Sequence, residues 1–188
     1  MRTVLASALL CVMAVPAAAE PVVYRLDPAR SFVHFELRHF GTSTIRGRFG
    51  PLDGDVTLDR AAGRGQVDVA VDTASVSTGW RLFDARIREP DLLDSTAFPQ
   101  ARFVAADFRF DGPRLAEVRG ELTLRGERRP LTLRALRFAC EARPAPAVEA
   151  CGGDFEATLA RSEFGVAFGL PFVADSVRLV LQVEGLRQ

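Results

Sequence analysis

Residues 31–49 read SFVHFELRHFGTSTIRGRF, and apolar and polar side chains alternate through the stretch with a period of two. Successive side chains of an extended chain point to opposite faces, so Val33, Phe35 and Leu37 share one side while His34, Glu36 and Arg38 share the other. After His39-Phe40-Gly41-Thr42, a connection short enough for a hairpin, Ile45, Gly47 and Phe49 resume the apolar side against Thr44, Arg46 and Arg48. The pattern predicts two antiparallel strands, each with one face turned to a core.

The same alternation extends in both directions. GDVTLD places Val56 and Leu58 inward, and GQVDVAVD does so for Val67, Val69 and Val71. ARFVAADFRF, EVRGELTLRG, RPLTLRALRF, DFEATLAR and SVRLVLQVEG repeat it, with a short first strand near Val22 to Leu26, for about ten strands in all. Turn residues punctuate the chain at the spacing of an antiparallel sandwich or barrel. One segment breaks the rhythm: TGWRLFDARIREPDLLDSTAF sets Trp80, Phe83 and Ile87 at helical spacing before Pro90 stops the pattern, which predicts a short helix inserted between strands and lying across one end. No repeat or linker divides residues 20–188, which are expected to form one domain.

Composition narrows the function classes. The chain has 188 residues, and its 24 basic residues, all arginine, are balanced by 24 acidic ones, so no basic excess is available for nucleic acid. The first residues, MRTVLASALLCVMAVPAAAE, have the form of a secretory signal: Arg2, an apolar run too short to span a bilayer, then a small-residue cleavage site after Ala19. Residues 1–19 are therefore expected to be removed and the rest exported to the periplasm or beyond, with no stable membrane insertion. In that oxidising setting Cys140 and Cys151, flanking the Pro- and Ala-rich EARPAPAVEA, are expected to form a disulfide that closes a loop. They lack the C-x-x-C spacing of a redox motif.

An antiparallel sheet of eight or more strands removes its exposed edges by closing, and a barrel of that size either fills its interior with side chains or holds one small ligand. Gly47, Gly54 and Gly120 sit at strand positions where a larger residue would occupy the interior, although strand glycines also mark bulges and corners.

YRLDPARSFVHFELRHFGTSTIRGRFG resembles the opening of the YceI-like family of exported polyisoprenoid-binding proteins, through Tyr24, Asp27, Ser31, Phe35, His39, Gly41, Gly47 and Phe49. The resemblance continues through Ser75, Thr78-Gly79, Asp84, Phe98-Pro99, Gly120, Leu122, Thr123, Gly126, Arg161-Ser162, Phe164-Gly165, Asp175 and Val177. It implies an all-β, antiparallel, extended lipocalin-like barrel with a helix near its mouth and a long isoprenoid tail, of a polyisoprenoid or prenyl quinone, running into an apolar pore. The cysteine pair is similar to that of a disulfide-containing subgroup. The resemblance makes Val33, Phe35, Leu37, His39, Ile45, Phe49, Val56, Val69, Phe103, Leu122 and Leu133 pore-lining candidates, with Trp80 and Phe83 over the mouth and Arg81 and Arg86 as candidates for a polar head group. The chain departs from the family pattern with Arg30 in place of a histidine, and with Phe83-Asp84-Ala85-Arg86 in place of an Arg-Asp-x-His run.

Two other readings compete with lipid carriage. As an enzyme the chain would rely on His39, but His34 and His39 would point to opposite faces of a strand and share no metal, and no nucleophile elbow, H-E-x-x-H or phosphate-cradling loop is present. Catalysis and a metal site are accordingly not expected, nor any cofactor apart from a bound lipid. The other alternative is an exported stress-related or interaction module with a filled barrel and no ligand. Nothing in the pattern sets the oligomeric state, which leaves room for a homodimer.

Overall fold

A computed structural model describes residues 20–144 and 147–188; the expected leader, residues 1–19, lies outside the described residues. Ten strands form in chain order, β1 (Val22–Leu26), β2 (Phe32–His39), β3 (Ser43–Phe49), β4 (Leu52–Asp59), β5 (Arg64–Asp72), β6 (Gln100–Asp111), β7 (Arg114–Leu124), β8 (Glu127–Pro144), β9 (Ala147–Ala160) and β10 (Ser176–Arg187), with one helix, α1 (Arg81–Ile87), between β5 and β6. Neighbouring strands pair antiparallel in the order β1-β4-β5-β6-β7-β8-β9-β10, and β10 pairs back to β1, so eight strands close into a barrel.

The two remaining strands extend the same walls. Along β10, Gln182 to Arg178 pairs with Phe32 to Glu36 of β2, while Gly185 to Arg187 pairs with Leu26 to Tyr24 of β1, so β1 and β2 are two halves of one broken wall. β3 and β4 likewise pair with β2 and β1 in turn. Ser31 pins the break: its hydroxyl donates to the Glu184 carbonyl and accepts from the Glu184 N–H, both at 3.2 Å, while its own carbonyl accepts from Leu52 N–H at 2.9 Å. Wholly buried Ser31 thereby satisfies backbone groups that the interrupted ladder would leave unpaired. The β2–β3 hairpin turns through Phe40 and Gly41, both at positive φ.

Two expectations are corrected. Gly47, Gly54 and Gly120 do not open the interior: a Cβ would strike the Phe35 ring at Gly47, the Asp68 carbonyl at Gly54 and the Val104 carbonyl at Gly120, so these glycines permit close approach of neighbouring walls. The segment around the cysteines is strand more than loop. β8 and β9 run on as a long hairpin, pairing Glu141 with Ala150, Ala142 with Glu149 and Pro144 with Ala147, and the Cys140–Cys151 disulfide joins directly opposed residues with Cα atoms 4.0 Å apart. Pro144 is tolerated there because it is the last residue of its strand.

Turns β4–β5 and β6–β7 and the β8–β9 hairpin lie at one end of the barrel. The opposite end carries the β2–β3 hairpin, the connection containing α1, and the β9–β10 connection. Asp84 fixes the entry to α1 by accepting from the Thr78 N–H at 2.6 Å and the Thr78 hydroxyl at 2.7 Å. Arg125, in the β7–β8 turn, donates to the carbonyls of Pro90 and Leu92 and ties the segment after α1 to the barrel. No helix among the described residues is long and apolar enough to cross a membrane.

Candidate functional site

The inward faces of the walls enclose an elongated cavity of about 400 Å³. Its wall is hydrocarbon over nearly its whole surface, supplied by the period-two positions of every strand. Val33, Phe35 and Leu37 enter from β2, Ile45 and Phe49 from β3, Val56 from β4, Val69 from β5, Phe103 from β6, Leu122 from β7 and Leu133 from β8. Several also pack as core: Phe103 and Leu133 belong to the largest buried cluster, and Phe35 packs with Val76 and Val177.

At one end the cavity stops against Tyr24, Leu58 and Cys151, all buried. The Tyr24 hydroxyl donates to the Glu149 carboxylate, which also accepts from Arg60 at 3.0 and 3.1 Å. Burial, then the neighbouring Glu149 carboxylate, raises the Tyr24 phenol above its ordinary pKa. The hydrogen bond from Tyr24, followed by the charge of Arg60, holds Glu149 below the usual carboxylate range despite some desolvation. The phenol is thus kept neutral and donating, and its polar group is satisfied away from the lumen.

At the other end the cavity opens between α1 and the β9–β10 connection. Phe83, Arg86 and Ile87 of α1, Leu92 and Leu93 after it, and Val166, Phe168 and Val173 of the connection line this mouth, with Leu37 and His39 at the end of β2. Arg86 carries its guanidinium 4.4 Å from the centre of the Phe168 ring and makes a two-pronged pair with Asp91, both bonds 2.6 Å. His39 meets Phe40 edge to face at 4.6 Å, and Phe40 stacks on Phe172 at 5.5 Å.

One buried cation organises the connection. Arg161 donates to the carbonyls of Ala174 (2.9 Å), Val166 (2.7 Å), Phe168 (2.9 Å) and Val173 (2.9 Å), holding the segment in place by main-chain contacts. Burial lowers its pKa, opposed by the charge of Asp175, which is itself held low by accepting from the Ser162 hydroxyl and N–H. Arg161, Ser162 and Asp175 are therefore framework residues of the mouth.

Of the positions singled out in the sequence, Trp80 and Arg81 lie outside the cavity lining. Trp80 is the cap residue before α1, with extended backbone at φ −123° and ψ 101°, so its side chain leaves the helical stripe of Phe83 and Ile87; its indole is 62% exposed. Arg81 is on the side of α1 away from Phe83, Arg86 and Ile87, as a turn of 3.6 residues dictates, and is exposed. Sequence reasoning missed Leu92, Leu93, Val166, Phe168 and Val173 as lining residues, since all lie in irregular segments without periodicity. His34 and His39 point to opposite sides of β2, His34 outward, and among the described residues no three His, Cys, Asp or Glu side chains gather into a metal-binding group.

Comparison with known proteins places this architecture. The model of the YceI-like domain matches residues 24–185. Protein YceI of Shigella flexneri is 32% identical over 168 residues, covering 88% of this chain and 87% of that protein. Among solved structures, Burkholderia cenocepacia BcnA superposes with a TM-score of 0.70 at 24% identity, covering 85% of this chain and 98% of BcnA. A polyisoprenoid binding domain from Saccharophagus degradans superposes with a TM-score of 0.61 at 17% identity, covering 88% of this chain and 98% of the domain. A closed antiparallel barrel with a helix at its mouth, matched by that family's model over nearly its whole length, shows that the chain belongs to the YceI-like family.

Proposed function

We propose that the protein binds and carries a long apolar lipid, a polyisoprenoid or prenyl quinone, with the tail inside the barrel and the head group at the mouth. The observation that carries this reading is the cavity of about 400 Å³ lined by hydrocarbon, open at one end and stopped at the other by Tyr24, Leu58 and Cys151. Its volume falls in the range of pockets that enclose a small organic ligand. A few hundred Å² of tail buried at about 25 cal/mol per Å² gains several kcal/mol before the cost of ordering the chain, with affinity set by length more than by chemistry. The polyisoprenoid binding named for the Saccharophagus degradans domain supports the ligand class. Arg86 and His39 are the polar side chains at the mouth suited to a head group. The role is non-catalytic and calls for no cofactor besides the lipid. It is exercised outside the cytoplasm, in the periplasm, after cleavage near Ala19.

Protein purified without detergent from its own host is to be weighed by native mass spectrometry and extracted with organic solvent. The expected result is an adduct that releases an isoprenoid lipid of defined mass. Consistently empty protein that also takes up no prenyl quinone would overturn the proposal in favour of a barrel whose working surface lies elsewhere.

A further inference from the structure

The mouth is surrounded by exposed apolar side chains, of which only Phe168 also lines the cavity. Nine large apolar residues are exposed among the described residues, and six of them, Phe40, Trp80, Leu82, Phe168, Leu170 and Phe172, belong to the three segments that frame the opening. The contacts make one collar. Trp80 stacks on Phe83 at 6.2 Å between ring centres, Phe83 and Arg86 share α1, Arg86 lies over Phe168 across the opening, and Phe172 of the same connection stacks on Phe40. The remaining three, Val23, Val104 and Leu136, sit singly on other strands, as scattered apolar residues on a soluble surface do.

Charge follows the same division. Residues 165–174, GVAFGLPFVA, contain no charged side chain, and neither do residues 40–45, FGTSTI. The cations beside these segments, Arg38 and Arg81, are exposed and make no salt bridge among the described residues. The third segment carries both signs, Glu89 and Asp91 beside Arg81, Arg86 and Arg88, and Glu163 stands just before residues 165–174. An aromatic and aliphatic rim with uncharged segments and arginines at its border is complementary to the interfacial zone of a bilayer, with the arginines placed to meet anionic head groups.

We infer that this collar docks the barrel mouth-down on a lipid bilayer, so that a tail passes between membrane and lumen without crossing water. The inference rests on the lipid-carrier reading for its purpose but has its own readout. The chain has a single tryptophan, Trp80, and it stands on the collar, so its fluorescence reports docking without a label. On addition of vesicles of mixed phosphatidylcholine and phosphatidylglycerol, Trp80 emission is expected to shift to shorter wavelength, and phosphatidylcholine with brominated acyl chains is expected to quench it. A combined Phe40→Ser, Phe168→Ser, Phe172→Ser variant with unchanged circular dichroism should lose vesicle partitioning by roughly tenfold or more. Val104→Ser with Leu136→Ser on the barrel wall should not. Arg38→Glu with Arg81→Glu should weaken binding to the mixed vesicles more than to pure phosphatidylcholine.

Emission that stays unmoved by vesicles would overturn the inference. So would a blue shift that appears without lipid, rises with protein concentration and accompanies a doubled mass in light scattering, which would assign the collar to a second copy. Uptake of geranylgeraniol into the lumen, followed separately by native mass spectrometry, keeps the two ideas apart: vesicle binding by a protein that never takes up the alcohol sustains the docking surface and counts against carriage alone.

Discussion

Where β4 turns into β5 and β6 into β7, the barrel tips carry Arg60, Arg64, Asp111 and Arg114; at the opposite end, residues 165–174 carry no charge at all. The first end is shut by side chains and covalent chemistry: Tyr24 on Glu149, Glu149 on Arg60, Asp59 on Arg64 at 2.9 Å, and the disulfide between β8 and β9. The second is held open by hydrogen bonds to main-chain carbonyls, four of them donated by the Arg161 guanidinium. A stopper has to resist water and tolerate charge on its outer surface, whereas an aperture has to keep its shape while leaving apolar groups unpaired. Different chemistry at the two ends of one sheet meets both demands.

The most damaging way to break this contrast is to remove the organiser of the mouth. Arg161→Met deletes donors to four carbonyls and leaves several unsatisfied, which should cost about 3 kcal/mol or more in chemical denaturation. Backbone amides of residues 165–174 should lose hydrogen-exchange protection before those of the closed end do. Next is the stopper. Reducing the Cys140–Cys151 bridge, with a sequence separation of 11, removes a constraint worth about 3 kcal/mol in the chain-entropy account and should lower the melting temperature by roughly 5–10 °C, read by scanning calorimetry. An unchanged melting temperature would show that strand pairing alone holds that end.

Between the ends, Val69→Phe inserts a ring into the lumen and should reduce the length or amount of lipid retained, at about 1–3 kcal/mol in stability from overpacking. Unchanged uptake would mean the tail does not reach β5. The smallest effect is the pH response of the closed end. Glu149 is held below its ordinary pKa, so its contribution is present above the ordinary carboxylate range and fades as pH falls through and below that range. Tyr24 is held above its ordinary value, so its contribution is complete below about pH 10 and is lost as pH rises beyond its folded pKa. Glu149→Gln should flatten both limbs of a stability-against-pH curve measured by urea titration, and a curve unaltered by the substitution would remove this network from the account.

The walls were legible in the sequence because a half-buried strand has to alternate. Val33, Phe35 and Leu37, or Val67, Val69 and Val71, announce their side by spacing alone, and all of them line the lumen. That ten strands make only eight walls was not legible, since nothing local in Asp27 to Ser31 says that β1 and β2 will share β10 as partner; that depends on Glu184, more than 150 residues away. The mouth was read least well. Trp80 fits the helical spacing of Phe83 and Ile87, yet α1 begins one residue later, and a cap residue does not follow the helix's stripe. Leu92, Leu93 and Phe168 carry no period, and their positions follow from Arg125 and Arg161 bonding to carbonyls, which any sequence supplies.

A lumen stopped at Tyr24 has a kinetic consequence. Entry and departure share one doorway, so a guest leaves only by backing out along its whole length, and no newcomer can push it through from behind. On the proposed carrier reading, residence time should therefore lengthen steeply with the length of the bound tail, and turnover of cargo should be set by withdrawal from the barrel, largely independent of how much competing lipid waits outside.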